Sequence, residues 1–225
     1  MTEPGRDPFS QLLYPMLSPQ PVVGDALIEE LSHAPIDKAA ESNRLRTELL
    51  DEFGDAIAHA AVEMAGAFRS GGRLLALGNG GSATSAADMV TEMLLPSAGH
   101  RSIPALCLTN DVAVVTGIGN DVGFDEVFVR QIIALGRPGD VVFAVSASGN
   151  SEDLVRGLGA AQRRSMLTIA TCGYDGGRVA TEGVADHCFI IRSSSIHRIQ
   201  EVQMTLYHLL IRLVHRALEG EPACA

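Results

Sequence analysis

The chain has 225 residues, 46% of them hydrophobic and 20% charged, with a formal net charge of −10. That is enough apolar material for one sizeable core. The excess of acid argues against nucleic acid as a partner, although backbone N–H groups and hydroxyls of an acidic protein can still hold a phosphate. The four cysteines, Cys107, Cys172, Cys188 and Cys224, form no C-x-x-C pair, which reads as reduced thiols in a cytoplasmic protein. No apolar leader follows MTEPGRDPF and no run approaches 18 apolar residues, so neither an export signal nor a membrane span is expected. Trp is absent and aromatics total 4%, leaving few platforms on which bases could stack.

Residues 1–35 read as an N-terminal arm, with Pro4, Pro8, Pro15, Pro19 and Pro21 breaking any long element and Leu27, Ile28 and Leu31 allowing one short helix. From Ile36 to Ser70, Leu45, Leu49, Phe53, Ile57 and Val62 recur near helical spacing. The pattern predicts a long helix, with a break near Gly54 and an end at Gly71-Gly72. Short apolar runs predict strands at Leu74–Leu77, Ile103–Leu108, Val141–Val145, Met166–Thr171 and His187–Ile191. Helical stretches fall between them: after Ser82, after Asp111 to about Thr116, over Phe124–Leu135, over Glu152–Arg163, and from Ile196 to Leu218. The core face of the last is expected at Ile199, Val202, Leu206, Leu209 and Leu213. Strands alternating with helices predict an α/β fold with a parallel sheet, and ligands in such folds sit at the carboxyl ends of the strands.

Two polar turns lie at such ends. The first, GNGGSA (Gly78 to Ala83), opens a helix at which Ser82 is placed to cap and an anion is favoured. It fits a loose dinucleotide pattern, but no acid lies about 20 positions on, so no nucleotide cofactor is expected. The second, SASGNS (Ser146 to Ser151), offers three hydroxyls before a helix where a cap needs one. Asp88 and Glu92 follow the first turn four residues apart and face one side of their helix. Gln200 and His208 are eight apart on the last helix, roughly 80° apart around it, so both can line one pocket.

GNGGS, TNDVAVVTGIGND, SASGNS and RIQEVQMTLYH, in that order, resemble the sugar isomerase (SIS) domain, and within it the phosphoheptose isomerase family. The resemblance covers about residues 36–218, giving an SIS domain over 36–225 after the arm. It implies a five-stranded parallel sheet sandwiched by helices, a three-layer αβα arrangement, and a homotetramer with sites at subunit interfaces. It implies that Ser82, Ser146, Ser148 and Ser151 hold a substrate phosphate, with Gly80, Gly81, Ala147 and Asn150 in the same loops. Asn79, Asp111, Asn120, Asp121 and Gln200 match positions lining a sugar pocket, and Glu92 and His208 match the catalytic pair. Some members bind zinc, which would place Asp88, Glu92, Gln200 and His208 around one ion per subunit, with Asp88 where the family has a histidine. Pro96 stands where a substrate-binding arginine is expected, and His197 where an aspartate is. His100, His187 and His215 read as ordinary solvated or satisfied histidines.

The reaction implied converts sedoheptulose 7-phosphate to D-glycero-D-manno-heptose 7-phosphate through an enediol, with Glu92 and His208 as acid and base. Two other readings share the fold: an isomerase of another sugar phosphate, and a non-catalytic SIS protein that binds a sugar phosphate or a replication initiator.

Overall fold

The computed structural model describes residues 24–220, with side chains from residue 34 onward. Most of the expected arm, its five prolines, and Cys224 lie outside the described residues. The chain divides into two units, Met1–Ala40 and Glu41–Ala225, and the sheet and every candidate site residue belong to the second.

Helix α1 runs over Gly24–Arg69, 46 residues without a break. The expected start near Ile36 and the expected interruption at Gly54 are both absent. Packing overrides local propensity here: Leu45, Leu49, Ile57, Ala60, Ala61, Met64, Ala65 and Phe68 are buried on one stripe that passes straight through position 54. Val62, expected on that stripe, is exposed, because a 3.6-residue period carries the buried face from Ile57 through Ala61 and Met64 to Phe68.

The remaining elements alternate. They are β1 (Leu74–Gly78), α2 (Gly81–Leu94), β2 (Ala105–Cys107), α3 (Val112–Asp121), a 3-10 turn (Phe124–Glu126) and α4 (Val127–Leu135). There follow β3 (Val141–Ser146), α5 (Glu152–Gln162), β4 (Leu167–Gly173), α6 (Gly177–Thr181), β5 (His187–Ile191) and α7 (Ile196–Glu219). Helix α3 outruns its expected end at Thr116, and β2 is shorter than the run Ile103–Leu108 predicts. The turn expected at Asp175-Gly176-Gly177 leads into the short α6.

The five strands are parallel in the order β2-β1-β3-β4-β5. The chain therefore winds outward from β1 to one side, then returns to β1's other side with β3. That reversal opens a crevice between the carboxyl ends of β1 and β3, where both polar turns emerge. The whole of β1 and β3 is buried, as expected of parallel strands covered on both faces. One apolar layer joins the sheet to α1, α2 and α7, the other to α4, α5 and the helix-side residues of β4. On α7 the buried face includes Ile199, Val202, Leu206, Leu210 and Val214, with Leu209 and Leu213 only partly covered.

At the opposite end of the sheet, buried Asp140 accepts hydrogen bonds from Arg73 N (3.1 Å), Arg73 Nε (3.2 Å) and Arg137 N (3.0 Å). It ties the entrances of β1 and β3 together far from the crevice. Replacing it strands a guanidinium and two amides. Asp140→Ala is expected to lower unfolding stability by about 3 kcal/mol in urea titration, with the activity per folded molecule unchanged.

Candidate active site

Gly78 closes β1 and lets the two turns approach. A Cβ there would stand 2.7 Å from the Ser82 carbonyl oxygen and 2.9 Å from that of Val145, closer than packing permits. The next turn places Gly80 at φ 55° as the cap of α2. Ser82, expected to cap, therefore lies inside the first turn, and among the described residues its hydroxyl is not bonded to protein. Asn79 Nδ2 donates to Asp153 Oδ2 at 2.9 Å. Burial pushes the Asp153 carboxyl above its usual range against that hydrogen bond.

After β3, Ser146 Oγ accepts from Gly149 N at 2.9 Å and Ser148 Oγ accepts from Asn150 N at 3.2 Å. These bonds fold the loop so that it curls over the N-terminus of α5. Ser151 occupies the cap position of α5 but its side chain makes no capping bond, so its hydroxyl is left for a ligand. Asn79, Ser82, Ser146, Ala147, Ser148, Ser151 and Gln200 line one cavity of about 340 Å³, together with Tyr174 and Ile196. Two helix N-termini and four serines in one cavity make an anion cradle. Gln200 reaches it from α7: a Cβ on Gly81 would stand 2.5 Å from Gln200 Nε2. Tyr174 is an addition that periodicity could not reveal. It sits in the loop after β4 at φ 53°, a left-handed conformation rare for a non-glycine residue and common at functional sites.

Glu92 and His208 line a second cavity, of about 450 Å³, with Pro96, Ser97, His100, Ile211, Arg212 and His215. Asp88 Oδ2 accepts from the Tyr207 hydroxyl at 2.6 Å and lies 3.4 Å from His208 Nε2, so it holds the imidazole beside the cavity. Burial and the Asp88 carboxylate push the Tyr207 phenol up, keeping it a proton donor. Arg212 is exposed and has no ion-pair partner among the described residues. His100 and His215, read from the sequence as ordinary, stack at 4.5 Å between ring centroids. His215 is buried and its Nε2 has no hydrogen-bond partner.

Several expected contacts fall elsewhere within the chain. Asn150 turns its Oδ1 to Arg178 N at 3.0 Å. Asp111 caps α3 through Val114 N at 3.0 Å and lines an apolar cleft beside β2. Asn120 donates to Asp121 at 2.7 Å, and neither lines either cavity. The zinc set does not fit as arranged. Gln200 opens onto the first cavity and His208 onto the second, and Asp88 is engaged by Tyr207. Among the described residues, three His, Cys, Asp or Glu ligand atoms come within 4.8 Å of one another only at His59, Glu63 and His187.

A profile of the SIS domain matches residues 38–173. The chain is 40% identical over 193 residues to a phosphoheptose isomerase of Chlorobium phaeobacteroides, covering 84% of each chain. It is 39% identical over 175 residues to that of Aquifex aeolicus, covering 77% of this chain and 91% of the other. Its fold is similar to the solved phosphoheptose isomerase of Neisseria gonorrhoeae, with a TM-score of 0.75 and 35% identity over 82% of this chain and 98% of that one.

Burial and neighbouring His100 hold the His215 pKa below its usual value, against a smaller opposing effect of Glu219. The unfolded chain therefore binds a proton at this position, below a pH of about 6.5, that the folded chain refuses. Stability is expected to fall as pH drops through that range. In thermal melts from pH 8 to 5, His215→Phe should flatten the decline.

Proposed function

The chain belongs to the sugar isomerase (SIS) domain family, and from that membership we propose that this phosphosugar isomerase interconverts sedoheptulose 7-phosphate and D-glycero-D-manno-heptose 7-phosphate. The reading rests on one juxtaposition: α7 carries Gln200 to an anion cradle and His208 to a cavity shared with Glu92. Eight residues of helix separate the two by about 12 Å, the reach of an extended seven-carbon chain with its phosphate.

Ser82, Ser146, Ser148 and Ser151 hold the phosphate, helped by N–H groups at the starts of α2 and α5. Gly80, Gly81, Ala147 and Asn150 shape those loops, and Asn79 and Gln200 contact the sugar. At the other end the ketose has its carbonyl at C2 and the labile hydrogens at C1. One member of the Glu92/His208 pair removes a C1 proton while the other protonates the developing oxyanion, which gives the enediol. Returning the proton at C2 while the O1 hydroxyl gives up its own proton to the second member of the pair makes the aldose. Asp88 keeps the His208 ring turned to the substrate. Arg212, one turn beyond His208, supplies a guanidinium to the sugar oxygens in a cavity where position 96 is proline.

Assembly completes the site. Leu94, Leu95, Leu106, Val112 and Val114 are exposed around the cleft beside β2, an apolar surface suited to other subunits of a homotetramer. Asp111, Asn120 and Asp121 on or beside α3 would then meet a neighbour's sugar rather than their own.

With sedoheptulose 7-phosphate as substrate, Glu92→Gln and His208→Ala are each expected to lower kcat by about 100-fold or more. Turnover equal to wild type in either variant sinks the assignment of the pair. Arg212→Ala should raise KM by about tenfold with little change in kcat, the pattern of a lost uniform binding contact. If a panel of ketose phosphates gives faster turnover with another sugar, the substrate assignment moves to that sugar. No turnover with any of them, together with co-purification of a replication initiator, selects the binding protein instead.

A further inference from the structure

We infer that His59, Glu63 and His187 form a divalent transition-metal site that clamps α1 to the edge strand β5, separate from the reactive cavity. His59 and Glu63 are four residues apart on α1 and share one face. His187 opens β5, the last strand of the sheet. Glu63 Oε2 stands 2.5 Å from His187 Nε2 and 3.8 Å from His59 Nδ1, and all three ligand atoms lie within 4.8 Å of one another. Donors sharing a zinc at 2.0–2.2 Å sit roughly 3 to 4 Å apart, so binding requires the Glu63 carboxylate to turn off His187 and the exposed His59 ring to swing inward.

The strand side of the site is held in place. The His187 ring lies over Phe189 at 6.1 Å and 19°. Phe189 is buried and meets Phe53 of α1 edge-on at 5.9 Å. An aromatic stack thus sets the imidazole before any ion arrives. The His59 and His187 rings are 5.8 Å apart and tilted by 59°, so their nitrogens can converge on one point instead of stacking. An ion pair between Glu63 and His187 alone would leave His59 with no reason to join, and a surface pair of that kind contributes little. Two imidazoles and one carboxylate suit zinc, copper or nickel over magnesium or calcium. Water fills the remaining positions, which makes this a clamp rather than a closed cage. Binding to the folded chain alone stabilises it by mass action.

The inference does not rest on the isomerase assignment. Its test is zinc titration of chelator-stripped full-length protein, followed by calorimetry and by the melting temperature. The double variant Glu92→Gln/His208→Ala is expected to bind about one zinc per chain and to gain melting temperature with zinc, as wild type does. His59→Ala, a change at an exposed side chain, should weaken zinc affinity by about tenfold or more and abolish the thermal gain, with isomerase turnover unaffected. Glu63→Gln should act likewise. If His59→Ala keeps wild-type zinc affinity, or if the double variant binds no zinc at micromolar concentration, the site is overturned.

Discussion

A single buried amide fixes the last helix against the carboxyl ends of two strands. Gln203 on α7 is completely buried, and its Nε2 donates to the carbonyls of Ser146 (2.8 Å) and Thr171 (3.0 Å). These oxygens lie at the carboxyl ends of β3 and β4, where a parallel sheet runs out of partners. Satisfying them with a helix side chain locks the last helix to the crevice at one register. Gln200 then falls one turn before the anchor and His208 just over one turn after it. A slide of α7 by one residue would move both out of their cavities and break two buried hydrogen bonds.

The two cavities have different physical characters. The cradle is made of backbone N–H groups, hydroxyls and helix ends, with no cation among its lining residues, which is how a chain of net charge −10 can receive an anion. The second cavity is made of titratable side chains: Glu92, three histidines and Arg212. On the proposed reading, recognition by fixed dipoles and reaction by movable protons are kept apart along one helix. Asp88, held by Tyr207 and 3.4 Å from the His208 ring, can orient that imidazole without itself contacting a ligand.

Much of this was legible in the chain. Apolar runs of four to six residues between turns located all five strands, and the serines of the turn after β3 line a cavity at the carboxyl end of the sheet. The four-residue spacing of Asp88 and Glu92 placed them on one face. What periodicity could not supply was tertiary. The uninterrupted path of α1 through Gly54 depends on core contacts, the capping of α2 by Gly80 on a backbone angle, and the entry of Tyr174 on a strained loop. His100 and His215 looked ordinary because a histidine's surroundings come from elements distant in sequence. Asp111, Asn120 and Asp121 carry polar groups in the expected order but lie on an element whose outer face this chain leaves uncovered.

The interlocking of the loops after β3 and β4 reaches further than binding. A Cβ on Gly149 would stand 2.1 Å from the Gly176 carbonyl oxygen, and one on Gly177 would stand 2.4 Å from that of Ser148. Neither loop can be redesigned without the other, so a library built there would mostly yield collapsed scaffolds. The walls around Pro96, Ser97 and Arg212 carry no such mutual constraint. New substrate preferences would therefore be sought by diversifying those walls while the serine-lined half is inherited unchanged.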